Sequence, residues 1–230
     1  MKNLLLCGSL LCLLISCSAD SDFNPLELEE SAITKSGRNL PNPGNSANPF
    51  DFKGEKYYDA LTSYREANQY PNSIAQIIDQ VSFLASQFKN DSFNNRSVIS
   101  FTDEIVQSIM DDPDNSMITI VQNSTISNSA KTSLVNFLQV LIEKRQLEFS
   151  ISYNYITDYE DTVITNNSLN QDDSETILTV TSISRYSLYS ETQRKDRDWD
   201  KSGANKNAKP FFAENQVAVI SIILFLATFK

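Results

Sequence analysis

The sequence predicts an all-α protein, a single helical bundle of about six to seven helices behind a disordered tether. Three observations carry that prediction. Apolar residues recur at every third or fourth position through several stretches. Breaker clusters separate those stretches at Tyr70-Pro71-Asn72, at Asp111-Asp112-Pro113-Asp114 and across residues 166–173. The one segment with clean strand alternation has no second strand to pair with.

Taken in order, the chain opens on Met1-Lys2-Asn3 and an apolar run over residues 4–15, closed by Leu14-Ile15-Ser16-Cys17. The run is shorter than the about 20 residues a spanning helix needs. A positive start, an apolar centre and a small residue make a secretory signal. Leu-Ile-Ser-Cys resembles the lipobox of bacterial lipoproteins. That resemblance implies a signal peptide of residues 1–16, cleavage before Cys17, and acyl chains such as palmitate carried on that cysteine. Each buried methylene contributes about 0.8 kcal/mol and one chain holds only marginally, so the two or three chains implied would fix Cys17 to a membrane. The acidic Ser18-Ala19-Asp20-Ser21-Asp22 resembles the export signal that places Bacteroidetes lipoproteins on the outer face of the outer membrane. The alternatives are a plain solvated tether and the periplasmic leaflet.

Residues 17–49 read as the acylated cysteine and a flexible linker, rich in Asn, Ser and acidic residues with Pro41, Pro43 and Pro49. The helical domain is expected over 50–230. Asn48-Pro49 turns the chain, because a residue before proline is biased away from helix. Tyr57, Leu61 and Tyr64 then suggest a first helix over about 55–68. Ser73 and Gln76 form a capping-box pair ahead of Ile74, Ile77, Ile78, Val81, Leu84, Ala85 and Phe88, one face through almost four turns. Val98, Phe101, Ile105 and Ile109 suggest a third helix, ending at the Asp111–Pro113 break. Leu134, Phe137, Leu138 and Leu141 mark a fourth, starting near Ser129.

Residues 147–165 fit two patterns. Leu147, Phe149, Ile151, Tyr153 and Tyr155 alternate as in a strand, while Phe149, Tyr153, Ile156, Tyr159 and Val163 form a helical stripe. Helix is preferred, since a lone strand lacks a partner. Ile177, Val180, Ile183, Tyr186 and Tyr189 recur at every third residue as a slanted stripe. Trp199 is expected in a charged loop reaching to Pro210. Residues 217–229 hold only Ser221 and Thr228 as polar groups. Thirteen helical residues rise about 20 Å, short of a hydrocarbon core of about 30 Å, so an enclosed core helix is preferred over a second anchor or a buried strand.

The turn Asn45-Ser46-Ala47-Asn48-Pro49-Phe50-Asp51, set behind a lipobox and spacer, resembles the opening of Bacteroidetes cell-envelope lipoproteins. Thr181-Ser182-Ile183-Ser184-Arg185-Tyr186-Ser187 and Asp198-Trp199-Asp200 are similar to late segments of the same group. The resemblance implies an envelope location and brings no catalytic residue with it.

Absences exclude several chemistries. The chain has no histidine, which removes Ser-His-Asp and Cys-His catalysis and imidazole zinc sites. Its five glycines are isolated, so no phosphate-cradling loop can be built. Cys7 and Cys12 leave with the signal and Cys17 takes the lipid, so the mature chain has no thiol for a disulfide, metal or nucleophile. The net charge of −10, which becomes −11 when Lys2 is removed, repels nucleic acid and anionic headgroups.

Four constellations remain. Asp196-x-Asp198-x-Asp200 has the alternate carboxylates of a calcium loop, but Lys201 stands where glycine belongs and Asn207 where glutamate belongs. It reads as a solvated loop of mixed charge, and no metal or cofactor is expected. Asp158, Glu160 and Asp161, or Asp103 and Glu104, offer carboxylate pairs for glycan hydrolysis and are assigned to solvated helix faces. Arg185, beside Tyr186 and Tyr189, can stack on a ring and grip a carboxylate. An internal salt bridge between helices is its preferred reading. The expected function is therefore a non-catalytic binding or structural module held to the membrane through Cys17. A carboxylate-dependent glycan hydrolase and an accessory subunit docked through exposed tyrosines are the alternatives. Whether the partner is protein or glycan stays open.

Overall fold

In the computed structural model, which describes residues 40–88 and 102–201 and side chains as far as Lys195, every regular element is a helix. The helices are α1 (Asp51–Ala67), α2 (Ile74–Gln87), α3 (Asp103–Asp111), α4 (Pro113–Asn123), α5 (Asn128–Lys144), α6 (Phe149–Ile164) and α7 (Gln171–Lys201). The all-α reading holds. The lipobox with Cys17, residues 98 and 101 of the third stripe, and the apolar run 217–229 lie outside the described residues.

The local signals act largely as their chemistry dictates. Ser73 Oγ accepts from the Gln76 backbone N–H at 3.3 Å and starts α2. The Gln76 side chain accepts from Asn72 N–H at 2.7 Å, so the reciprocal half of the box closes one residue early. Ile77, Val81, Leu84 and Phe88 are buried along one face. In α5, Ser127 caps and Leu134, Phe137, Leu138 and Leu141 are buried. Residues 149–164 are helical, with Phe149, Ile156 and Val163 buried as the helical stripe requires. Phe137 stacks on Tyr159 at 4.4 Å and on Tyr155 at 5.5 Å, which locks α5 to α6. Burial pushes the Tyr159 phenol up to about 12, so it stays protonated against Ser133 Oγ at 2.8 Å.

Four expectations need correction. The linker gives way before residue 49: the folded unit begins at Leu40, and Pro43, Gly44, Asn45 and Asn48 bond to the helices. The Asp111–Pro113 break is also a start. Asp112 caps α4 by accepting from Asn115 N–H, and Pro113 takes the first turn, where its missing N–H costs nothing. In α3 the buried residues are Val106, Ile109 and Met110, while Ile105 is exposed. The stripe is therefore rotated from the one expected. Finally, the stretch containing Trp199 is no loop, because α7 runs unbroken to Lys201.

The centre of the domain is α7. Every residue from 177 to 188 is buried, although Thr179, Thr181, Ser182, Ser184 and Ser187 are polar. Small hydroxyl residues allow close packing: Thr181 and Ser184 bond to their own helix, at the Leu178 and Val180 carbonyls (3.0 and 2.8 Å), while Ser182 and Ser187 reach Asp51 and Tyr57 of α1. Helix α1 lies most extensively against α7, with α6 and α5 also on it. Gly54 of α1 marks the closest approach: a Cβ there would lie 2.6 Å from Tyr186 Cδ2 and 2.8 Å from the Ser182 backbone carbon.

Of the described buried side chains, Gln80 alone strands two polar atoms. Gln80, on the inner face of α2, is 1 % exposed, and neither its Nε2 nor its Oε1 has a hydrogen-bond partner. Stranding an amide costs about 1–3 kcal/mol. The near-isosteric Gln80→Met is therefore expected to stabilise the domain by about 1–2 kcal/mol, seen as a higher urea midpoint with an unchanged slope. A lower midpoint would show that the amide is satisfied in the folded chain.

Candidate functional site

The strongest concentration of polar chemistry is assembled by three separate parts of the chain. Residues 43–51 form a strap folded by its own asparagines. Asn45 Oδ1 accepts from Ala47 N–H at 3.1 Å, and Asn48 Oδ1 accepts from Phe50 N–H at 2.9 Å. The strap leads into α1, whose first residue is Asp51, where the helix end favours a negative charge. Helix α6 contributes Glu160 and α7 contributes Thr181, Ser182, Arg185 and Tyr186.

Glu160 is fully buried and saturated. Its Oε2 accepts from Asn45 Nδ2 at 2.7 Å. Its Oε1 accepts from Asn48 Nδ2 at 2.7 Å, Thr181 Oγ1 at 2.8 Å, and Arg185 Nε and Nη2 at 3.3 and 3.2 Å. Arg185, the largest fully buried side chain, also donates from Nη1 to the Pro43 carbonyl and from Nη2 to Asp51 Oδ1. Asp51 accepts further from Asn45 N–H at 3.0 Å and from Ser182 Oγ at 3.0 Å. Burial, reinforced by the charges of Asp51 and Glu55, pushes the Tyr186 phenol well above its ordinary value. It remains a donor, 3.4 Å from Asp51 Oδ2. A guanidinium between two carboxylates, with amides and hydroxyls on the remaining lone pairs, is how a buried charge is made tolerable.

No family model, curated protein or solved structure matches the chain.

The hub brings together two stretches already singled out in the sequence, Asn45–Asp51 and Thr181–Ser187, which lie more than 100 residues apart. The salt-bridge reading of Arg185 is borne out. Its ring contact is with Tyr186 at 5.9 Å, while Tyr189 packs on Tyr58 and Phe149 instead. The assignment of Glu160 to a solvated face is wrong. It belongs to the buried stripe Phe149, Ser152, Ile156, Glu160 and Val163, and its place on that helical period is the signal that could have found it. Asp158 and Asp161 are exposed as expected.

The other constellations do not assemble. Asp103 and Glu104 are exposed in the first turn of α3, where the Thr102 hydroxyl and a backbone N–H hold the Glu104 carboxyl below its ordinary range. Asp196, Asp198 and Asp200 stand on helical backbone, not the loop that calcium ligation requires. No group of three potential metal ligands occurs among the described residues. All nine tyrosines are described, and only Tyr70 is exposed, its ring 4.9 Å from the Arg65 guanidinium and 5.5 Å from that of Arg194. Docking through a set of exposed tyrosines has no surface here.

Proposed function

We propose that the chain is a lipid-anchored cell-envelope protein, held through Cys17, whose helical body is a non-catalytic binding or structural module. The observation that carries the second half is the saturation of Glu160. A hydrolytic carboxylate must meet substrate or water, whereas both oxygens of Glu160 are committed to the chain's own donors. The hub is a clamp that pins the strap to α6 and α7. The lipobox pattern at residues 14–17 supports the anchor, and the composition that follows it, rich in Asn, Ser and acidic residues, supports a linker between lipid and body. No helix of the described residues is long and apolar enough to cross a membrane.

Membrane fractionation of Cys17→Ala tests the anchor. The variant is expected in the soluble fraction, while the wild type sediments with membranes and its N-terminal peptide carries the acyl mass. A variant that remains in the membrane, or a wild-type N-terminus found uncleaved and unmodified, overturns lipid anchorage. Protease treatment of intact cells then separates the outer face of the outer membrane from the periplasmic leaflet.

A further inference from the structure

Between α1 and α2 the surface opens into a groove of about 450 Å³, lined by Phe52, Glu55, Lys56, Asp59, Ala60, Ser63, Phe83 and Gln87. Two rings stand at this groove in contact with solvent. Phe52 is 54 % exposed and Phe83 is 36 % exposed, and Phe83 is braced by Tyr64 at 5.5 Å. Glu55 and Asp59, one helical turn apart on α1, are exposed and have no hydrogen-bond or ion-pair partner among the described residues. Gln87 donates its Nε2 to Ser86 Oγ at 3.1 Å, which leaves Oε1 as an acceptor. The nearby cations are already committed. Lys53 binds Glu175 at 2.8 Å with its Nζ 6.0 Å from the Phe52 ring, and Lys56, itself in the lining, holds its Nζ 5.1 Å over the Phe88 ring.

The groove therefore presents acceptors and a net negative charge beside aromatic faces, two carboxylates against the one lysine of its lining. Rings attract a cation over their faces, and paired carboxylates hold its N–H groups. The geometry points to this groove as the docking site for a basic segment of a protein partner, with an arginine or lysine stem against Phe52 and Phe83 and its head on Glu55 and Asp59. The inference rests on the binding-module reading and is independent of the anchor at Cys17. A neutral glycan would use the rings but gains nothing from two unpaired carboxylates.

Titration of the detergent-solubilised full-length protein with a fluorescein-labelled Gly-Arg-Gly-Arg-Gly peptide tests it. Saturable binding is expected that weakens with salt and at least tenfold in Glu55→Gln/Asp59→Asn, a pair of exposed changes that leaves the circular dichroism melt in place. Phe52→Ser is expected to weaken binding at unchanged salt dependence. The control Glu143→Gln/Asp158→Asn, which removes two exposed charges elsewhere, should bind as the wild type does. Equal weakening by the control would reduce the effect to general acidity and overturn the site, as would no saturation at millimolar peptide. Binding of neutral maltohexaose that Phe52→Ser abolishes, with the peptide unbound, would reassign the groove to glycan. Each of these failures leaves a result at Cys17 untouched.

Discussion

Arg185→Ala is expected to destabilise the domain by about 3–5 kcal/mol, the cost of removing one member of a buried ion pair. For a domain of this size that corresponds to a fall of roughly 6–20 °C in Tm. The loss has three sources. Glu160, fully buried, and Asp51, 19 % exposed, are left as like charges without the cation between them. The Pro43 carbonyl loses its donor, and the largest fully buried side chain leaves a cavity. The strap should detach with it, so residues 43–51 are expected to become protease-sensitive before the helices melt. Glu160→Ala should act in the same direction. A double Arg185→Met/Glu160→Met replacement should recover part of the loss, because it removes the charges together and keeps the volume. A single Arg185→Ala within 1 kcal/mol of wild type in urea denaturation would refute the clamp.

Gly54→Ala is expected to cost about 3 kcal/mol, even though alanine is the better helix former by about 1 kcal/mol. The added methyl would run into Ser182 Oγ and sit 2.8 Å from the Ser182 backbone carbon. The hydroxyl can be removed; the backbone cannot move without moving α7. Ser182→Ala in the same chain should therefore rescue only a part. Separation of α1 from α7 would also pull Asp51 from Ser182 and Arg185, so this substitution and the loss of Arg185 should not be additive. Thr62→Ala, at an exposed position of α1, supplies the comparison in which the gain in helix propensity is expressed. Gly54→Ala melting at or above the wild-type temperature would show that the two helices have room between them.

Features that depend on neighbours along the chain were legible in the sequence. The Ser73 cap and the buried faces of α2 and α5 follow from spacing alone, while the helical identity of α6 needed the further argument that a lone strand has no partner. Arg185 was legible as an internal ion pair because an arginine among tyrosines on an apolar stripe has few other stable roles. Its partners were not. Asp51 and Glu160 are ordinary acidic residues until the chain folds, and Glu160 stands between Asp158 and Asp161, which do face water. The helix α4 was hidden because Asp112-Pro113 signals an end and a beginning alike. The central place of α7 was hidden because serine and threonine count as polar in any hydropathy pattern. In α7 their small volume, with bonds from Ser184 to the preceding turn and from Ser182 and Ser187 to α1, serves where leucine would hold the neighbouring helices apart.

The position of α7 at the middle of the domain sets an order of events during synthesis. It is the last helix among those described, and α1, the first, takes its principal contact from it. A polypeptide emerging N-terminus first can pair α1 with α2 and α2 with α3 as they appear, but α1 lacks its principal partner until about residue 188 has been made. That one pairing closes a long loop, from Ala67 to Gln171, which slows its formation relative to the contacts between successive helices. The closing of α1 and the strap onto α7 is therefore the late event of folding, after the neighbouring helices have met.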